Sequence, residues 1–205
     1  MATSTATPVS LESGDRLTRA EFHRRYCARP DIKKAELVSG VVYVPSPLRS
    51  RRHSRPHGLV MLWLGTYCVR DPELVLEDNA TVFLDDLTEV QPDAFIWRPE
   101  PGGPRLTDDD YVEGPPQLVV EVAASSASYD LHDKLEAYRR NGVREYLVWR
   151  VVDNAVDWFR LREGQYVRLD PDAEGVIESE EYPGLRLHIP SLLAGDRANV
   201  LAWLR

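Results

Sequence analysis

The apolar pattern is clearest in the segment from Leu118 to Ala123, an almost continuous run rich in valine. Such a run is typical of a strand that is buried on both faces. Glu121 interrupts it and shares a face with Val119 and Ala123, because side chains alternate along a strand. An isolated buried carboxylate costs several kcal/mol, so the pattern predicts that Glu121 is protonated, paired or bound to a metal.

Helical spacing predicts a helix from Tyr129 to Asn141, directly after this strand. Its apolar stripe consists of Leu131, Leu135 and Tyr138. Lys134 lies at the border of the stripe, from where its ammonium group can reach the sheet. Because the stripe is complete without it, Lys134→Ala is expected to leave stability almost unchanged. If Lys134 is instead the sole counter-charge of a buried Glu121, the same change should destabilise the protein by ~3–5 kcal/mol. The alternative is a surface ion pair between Asp130 and Lys134, which contributes only a few tenths of a kcal/mol.

The remaining elements follow from the same two periodicities. Strands are expected in the segments 35–45, 73–77, 81–84, 90–97, 144–152, 155–161, 165–169 and 176–188, and helices in the segments 19–28, 57–69, 190–193 and 198–204. Ser39-Gly40 predicts a hairpin turn within the first strand segment. Residues 1–14 lack periodicity and are predicted to form a flexible tail, followed by a single domain over residues 15–205.

A second carboxylate, Asp93, follows a proline in a strand-like run and shares a face with Phe95 and Trp97. Two carboxylates from adjacent strand segments can hold Mg²⁺, which binds few protein oxygens and keeps several waters. A lysine beside them can stabilise an attacking hydroxide or the charge that develops on a phosphate. Asp93, Glu121 and Lys134 are therefore the minimum set for hydrolysing a phosphodiester.

Several short motifs occur in a fixed order along the chain. They are Pro92-Asp93, Glu121-Val122-Ala123, Asp130-x-x-x-Lys134-x-x-x-Tyr138 and Gly142-Val143-x-Glu145-Tyr146. In this order the chain resembles the Uma-two family of restriction endonucleases, in the PD-(D/E)XK nuclease superfamily, from about Glu21 to its end. The resemblance implies an α/β (α+β) fold with a restriction-endonuclease-like core. A mixed central β-sheet would be flanked by helices and extended by added antiparallel strands.

The resemblance also implies a Mg²⁺ site with Asp93 and Glu121 as ligands, where Mn²⁺ can substitute. The carbonyl group of Val122 is expected as a third ligand. The chain departs from the superfamily pattern at Ala123, where a lysine is the usual residue. The role of that lysine is therefore mapped onto Lys134 of the following helix.

Glu36 is a further catalytic candidate. It begins the first predicted strand, within a Glu-Leu-x-x-Gly element that the chain shares with the family. The resemblance implies that this glutamate faces the metal site. The alternative is a charged residue on an edge strand, which protects the sheet from pairing with another chain.

The formal net charge of −8 is unfavourable for a protein that binds nucleic acid, because such proteins usually carry a basic footprint. A local cluster of basic residues can still attract phosphate groups. The candidates for contact with nucleic acid are Arg49, Arg51, Arg52, Arg55 and His57, and His53 lies among them. The alternatives are a solvated loop for the arginines and structural roles for the histidines.

With 205 residues and 43% apolar content, the chain is expected to be one globular domain. No apolar run approaches the ~20 residues of a membrane helix, so a cytoplasmic protein without membrane contact is predicted. Cys27 and Cys68 lack a metal-ligand spacing and are predicted to be reduced residues in or near the core. Asp108, Asp109 and Asp110 are expected to form a solvated turn instead of a metal cluster.

The leading hypothesis is a Mg²⁺-dependent endonuclease that hydrolyses phosphodiester bonds in DNA, as a homodimer. A second hypothesis is a catalytically inactive nuclease fold that acts as a binding or regulatory module, which the acidic net charge and Ala123 favour. A third is an interaction protein in which a buried Glu121 is merely paired with Lys134. Binding of Mg²⁺ or Mn²⁺ separates the enzyme from the simple ion pair.

Overall fold

Two six-stranded sheets organise the residues that the computed structural model describes, which are 10–45, 50–124 and 126–205. The central sheet contains β3 (Val75–Asp78), β6 (Ala94–Trp97), β9 (Leu118–Ala123), β10 (Glu145–Arg150), β11 (Ala155–Arg162) and β12 (Gln165–Leu169). The second sheet contains β1 (Glu36–Val38), β2 (Val41–Tyr43), β4 (Val82–Asp85), β5 (Thr88–Val90), β7 (Arg105–Leu106) and β8 (Val112–Glu113). A separate hairpin is formed by β13 (Val176–Glu178) and β14 (Arg186–His188).

Helices pack around these sheets. The α-helices of the described chain are α1 (Arg19–Cys27), α2 (Arg55–Cys68), α3 (Ala127–Tyr129), α4 (Leu135–Asn141), α5 (Ile189–Ala194) and α6 (Arg197–Ala202). A π-helical turn at Ser50–Ser54 leads into α2, and another at Asp130–Lys134 joins α3 to α4. Across the described segments, no helix has the length and apolar character that crossing a bilayer requires.

The central sheet is mixed. Its strand order is β12-β11-β10-β9-β6-β3, and β9 and β10 pair in parallel while the other neighbours pair antiparallel. The helical segment from α3 to α4 forms the crossover that a parallel pair needs. β11 and β12 are the antiparallel extension, so the predicted fold class is confirmed. The second six-stranded sheet is an addition that the sequence pattern does not predict.

The two faces of β9 belong to different hydrophobic clusters. One face, which includes Val120, packs in a cluster with Trp63 of α2. The opposite face, which includes Val119, packs in a cluster with Tyr138 of α4. Strand alternation assigns Glu121 to this second face, and its hydrogen bond with Tyr138 confirms the prediction.

The chain changes sheets in the segment that carries Asp93. The segment 90–97 is predicted as one strand, but β5 ends at Val90 in the second sheet and β6 begins at Ala94 in the central sheet. Pro92 lies between them and has no N–H group to continue a ladder. The prediction of one strand is therefore wrong, and Asp93 lies at the crossing point between the sheets.

The chain before α1 packs against the hairpin of β1 and β2. Residues 1–9 of the predicted tail lie outside the described residues. Leu11 is only 3% exposed, and the N–H group of Gly14 donates to the carbonyl of Val42 at 2.9 Å. The packed chain thus begins before the predicted boundary at residue 15, because Leu11 belongs to a small hydrophobic cluster. The single-domain assignment stays a prediction.

The cysteines and the aspartate run, for which no metal is expected, differ in exposure. Asp108, Asp109 and Asp110 are exposed, in agreement with a solvated turn. Cys68 is half-buried, whereas Cys27 is exposed at the last position of α1. The prediction that Cys27 lies in or near the core is therefore wrong, because the end of α1 turns this residue outwards.

Candidate active site

Ionisable side chains from both sheets and from the second π-helical turn meet in the interior. They are Glu36, Asp93, Glu121, Asp130 and Lys134, each 3–4% exposed, and are called the carboxylate cluster below. The four residues predicted as catalytic are all members. Asp130 is the one member that is not among the predicted catalytic residues. Helical spacing predicts for it, as an alternative, a surface ion pair with Lys134. That alternative is wrong, because both Asp130 and Lys134 are buried.

The pairing of β6 with β9 brings Asp93 beside Glu121. The antiparallel ladder ends with the pair of Ala94 and Val120, and Asp93 and Glu121 are the next residues beyond that pair. A continuation of the same register would place both side chains on one face of the sheet. The N–H group of Val122 donates to Asp93 Oδ2 at 2.8 Å, which fixes the Asp93 carboxylate against β9.

Lys134 joins the two sheets through its ammonium group. Its Nζ donates to Glu121 Oε1 at 2.8 Å and to Glu36 Oε1 at 2.9 Å. Tyr138 lies one helical turn later, and its hydroxyl donates to the same Glu121 oxygen at 3.0 Å. The same Nζ lies 5.6 Å from the centre of the Tyr129 ring, within range of a cation–π contact. The second π-helical turn thus directs Lys134 inwards and not to solvent.

Glu36 is part of this arrangement and not a charge on an edge. β1 pairs with β2 on one side and with β5 on the other, so the edge-strand alternative is wrong. Glu36 Oε1 accepts from Lys134 and also from the N–H group of Gln91, at 2.8 Å. Gln91 lies in the segment that crosses between the sheets, so Glu36 connects Lys134 with that crossing.

Asp93 has basic partners on its other side. His53 Nε2 lies 3.1 Å from Asp93 Oδ2, and Lys34 Nζ lies 3.4 Å from Oδ1. His57 Nε2 donates to the backbone carbonyl of Asp93 at 2.8 Å and lies 3.3 Å from Asp78 Oδ1. His57 therefore holds the crossing segment in place, and its contacts favour the structural alternative over contact with nucleic acid.

The pKa values of Asp93 and Glu121 are shifted in opposite directions. Burial raises the pKa of Glu121 to about 8. The ammonium group of Lys134 lowers this pKa, but the nearby carboxylates of Asp93, Asp130 and Glu36 offset much of that effect. Burial would also raise the pKa of Asp93, but the contacts with His53 and Lys34 bring it well below its usual range. The surrounding carboxylates outweigh burial for Lys134 and raise its pKa well above the ordinary value. Burial thus favours the protonated form of Glu121, whereas the contacts with His53 and Lys34 favour the ionised form of Asp93.

Each facing carboxylate has one oxygen that the protein engages only weakly. Glu121 Oε1 accepts two hydrogen bonds, whereas none from the described residues reaches Oε2. Asp93 Oδ2 also has two partners, and Oδ1 has only Lys34 Nζ, at 3.4 Å. Two available oxygens on neighbouring segments fit Mg²⁺, which needs few protein ligands. Within residues 10–45, 50–124 and 126–205, no three His, Cys, Asp or Glu side chains are arranged to hold a metal ion.

The predicted basic cluster lies on the first π-helical turn and the start of α2. Arg51, Arg52 and Arg55 are exposed there, and Arg49 lies outside the described residues. His53 belongs to the same turn but is 7% exposed, because it points to Asp93. This turn thus presents arginines to solvent directly beside the carboxylate cluster.

The sequence model of the Uma2 family, described as "Putative restriction endonuclease", matches residues 19–190. The chain belongs to the Uma2 family. The matched region contains every member of the carboxylate cluster and the exposed arginines beside it. Family membership confirms the resemblance that the short motifs indicate.

A solved structure supports the fold of this Uma2 chain. It is titled "Crystal structure of a putative nuclease belonging to DUF820 from Anabaena variabilis ATCC 29413". The two chains superpose with a TM-score of 0.62 at 11% identity, over 78% of this chain and 90% of that chain. At this identity the likeness shows a nuclease-like fold alone. Comparison with curated proteins gives no match.

Some contacts of the Uma2 site are missing from the sequence-based set. Helical spacing assigns Tyr138 to the apolar stripe only, although its position one turn after Lys134 indicates a shared target. Lys34 lies two residues before Glu36, and strand alternation could have placed it on the same side. The contact of His53 with Asp93 has no such signal, because a π-helical turn follows neither helical nor strand periodicity.

Proposed function

We propose that this Uma2 protein is a Mg²⁺-dependent endonuclease that hydrolyses phosphodiester bonds in DNA. The observation that carries the proposal is that Asp93 and Glu121 lie side by side just beyond the last pair of the β6–β9 ladder, with Lys134 hydrogen-bonded to Glu121. Two carboxylates and a lysine are the groups that phosphodiester hydrolysis with a divalent metal needs. The description of the family as restriction endonucleases supports the same conclusion.

Asp93 and Glu121 would hold the Mg²⁺ ion, together with the carbonyl group of Val122. Bound Mg²⁺ would supply an activated water and a polarised phosphoryl oxygen. The composition of the cluster supports a cation here, since its four buried carboxyl groups outnumber the basic groups in contact with them among the described residues, which are the ammonium groups of Lys134 and Lys34 and the imidazole ring of His53. Metal ligands must be deprotonated, so binding would displace the proton that burial retains on Glu121.

Lys134 would act as the electrostatic stabiliser. A lysine ammonium group has three N–H donors, and Lys134 uses two of them on Glu36 and Glu121. The third would donate to the attacking water or to a phosphate oxygen. Glu36 would orient Lys134 for this role, since the N–H group of Gln91 fixes the same carboxylate oxygen.

The substrate would approach over the first π-helical turn. Arg51, Arg52 and Arg55 are exposed there and would neutralise phosphates, which offsets the unfavourable net charge of −8. Phosphate contacts position a nucleic acid without distinguishing DNA from RNA. The assignment of DNA therefore rests on the family description.

The second candidate function is a nuclease fold that binds nucleic acid or a partner without hydrolysis. Two observations favour it: Ala123 stands where the superfamily has its lysine, and Lys134 is only 3% exposed. In that case the cluster would serve folding alone. The same experiment separates the two functions.

Cleavage of plasmid DNA, single-stranded DNA and RNA, each with Mg²⁺, Mn²⁺ or EDTA, tests the proposal. We expect metal-dependent cleavage of DNA that Asp93→Asn and Glu121→Gln each reduce ~100-fold or more, as for the removal of an electrostatic group. Glu145→Gln is the matched control, because Glu145 is also a buried glutamate of the central sheet but binds Ser179 and Trp158. It should retain cleavage if it folds.

Isothermal titration with Mn²⁺ completes the test. The wild type and Glu145→Gln should bind the ion, and Asp93→Asn should not. Binding of Mn²⁺ without cleavage of any substrate would support the inactive module. If the wild type neither binds Mn²⁺ nor cleaves DNA, the proposed function is wrong.

A further inference from the structure

A second group of reactive side chains lies away from the carboxylate cluster, at the end of α1. A cavity of about 220 Å³ opens there between α1 and the second sheet. Its lining includes His23, Cys27, Glu89, Thr81 and Tyr111. None of these residues takes part in the nuclease proposal.

The first three of these form a chain of hydrogen bonds. His23 and Cys27 lie one turn apart on α1, and Cys27 Sγ is 3.4 Å from His23 Nε2. His23 Nδ1 is 2.9 Å from Glu89 Oε1. In the tautomer whose Nδ1 donates to Glu89, Nε2 is left to accept the thiol proton. The imidazole ring of His23 also packs edge-to-face against Phe83 and Tyr111, with ring centroids 5.2 Å and 5.0 Å away.

Glu89, which lines the cavity, has a carboxylate oxygen without a partner. Glu89 is 1% exposed, and its Oε2 is buried without a hydrogen-bond partner among the described residues. Buried polar atoms are nearly always paired, so an unpaired carboxylate oxygen in the lining of a cavity indicates a donor that is not part of the chain. A small molecule with an amino or amide N–H group can supply that donor.

The two cysteines of the chain differ in exposure and in their neighbours. Cys27 is exposed, lies beside a histidine and lines the cavity. Cys68 is half-buried, and burial raises the pKa of its thiol to about 11. The thiolate is the nucleophile of cysteine chemistry, so Cys68 serves as the unreactive reference within the same protein.

We propose that Cys27 and His23 form a reactive thiol site for small disulfides that carry amino groups, with Glu89 as the residue that binds the amino group. His23 Nε2 accepts the proton of the Cys27 thiol, and Sγ attacks one sulfur of the disulfide. A new S–S bond forms to Cys27 while the original S–S bond breaks. The departing sulfur leaves with the electron pair and takes the proton from His23, so the products are a mixed disulfide and one small thiol.

The experiment compares cystamine, which carries ammonium groups, with dithiodiglycolate, which carries carboxylates. Modification of Cys27 is followed by intact mass spectrometry in Cys68→Ser, and modification of Cys68 in Cys27→Ser. We expect cystamine to react faster at Cys27 by about tenfold or more, since a buried carboxylate attracts one disulfide and repels the other. The rates at Cys68 measure the smaller preference for cystamine that the overall charge of −8 alone produces.

Two substitutions in the Cys68→Ser background assign the roles. Glu89→Gln should lower the ratio of the cystamine rate to the dithiodiglycolate rate at Cys27 until it equals the ratio at Cys68. His23→Gln should slow both disulfides by at least about tenfold, because it removes the proton acceptor. Circular dichroism checks folding, and if His23→Gln is unfolded, the comparison of the two disulfides with and without Glu89→Gln decides alone. Equal rates for the two disulfides, or a preference that Glu89→Gln leaves intact, would overturn the proposal.

Discussion

Lys134 couples folding to the proposed chemistry. Its side chain is buried, and its ammonium group lies 2.9 Å from Glu36 Oε1 and 2.8 Å from Glu121 Oε1. Lys134→Ala would leave the buried carboxyl group of Glu36 without this counter-charge and that of Glu121 without one of its two donors, and removing one partner of a buried pair typically costs ~3–5 kcal/mol. We therefore expect a clear fall in the free energy of unfolding, measured by urea denaturation. The buried contacts of Lys134 therefore favour this outcome over unchanged stability, which is expected when only the apolar stripe is considered.

The control for this substitution is Lys33→Ala. Lys33 is exposed, and its Nζ donates to the carbonyl of Pro30 at the surface, so its removal should change stability by less than ~0.5 kcal/mol. Adding Glu36→Gln to Lys134→Ala should recover part of the stability, since a neutral amide needs no counter-charge. An unchanged denaturation midpoint for Lys134→Ala would contradict the buried ion pair.

The raised pKa of Glu121 predicts how stability depends on pH. The pKa is about 8 in the folded protein against an ordinary value of 4.5, so between these values the folded state holds a proton that the unfolded state releases. The protonated Glu121 contributes fully to stability below pH 4.5, and this contribution is lost as the pH rises through the pKa of the folded protein. The free energy of unfolding should fall by up to about 1.4 kcal/mol per pH unit within this window. Urea denaturation with EDTA from pH 5 to 9 measures the slope, which Glu121→Gln should flatten.

At the scale of elements, both π-helical turns lie at the candidate site. The turn Ser50–Ser54 buries His53 and exposes the neighbouring arginines, and the turn Asp130–Lys134 buries both of its terminal residues. π-helical turns are often found at functional sites. Helical periodicity predicts that helices occur here but not which residues point inwards, and it groups His53 with the arginines for that reason.

The exposed arginines of the first turn should govern affinity for DNA. Replacing Arg51, Arg52 and Arg55 by glutamine should weaken binding and reduce the dependence of log K on log salt by about 0.9 for each phosphate that is no longer neutralised. Binding of Mn²⁺ should be unchanged, because within the described part of the chain these exposed side chains form no hydrogen bond or ion pair with the carboxylate cluster. Arg105→Gln, Arg162→Gln and Arg168→Gln together are the control, since these exposed arginines lie on β7, β11 and β12. A weaker salt dependence in the control alone would contradict this assignment.

At the scale of the whole molecule, local patterns predict the carboxylate pair but not its surroundings. Alternation along β9 assigns Glu121 to the face that Tyr138 contacts, and the prediction holds. The change of sheets at Asp93 depends on tertiary pairing across the whole chain, which periodicity does not contain. The second sheet brings Glu36 and Lys34 to the site for the same reason, so their contacts could only be anticipated from the family resemblance or from alternation.

Assembly as a two-fold dimer would match the two strands of a DNA duplex. Each chain has one carboxylate cluster, whereas a duplex has two strands to cut, so a dimer would place one cluster on each strand. We expect light scattering to give twice the mass of the chain, and wild-type protein to linearise plasmid DNA. Mixed dimers of wild type and Asp93→Asn should nick one strand instead. A monomer at high concentration that linearises plasmid, with mixtures giving only the sum of the separate activities, would contradict the dimer.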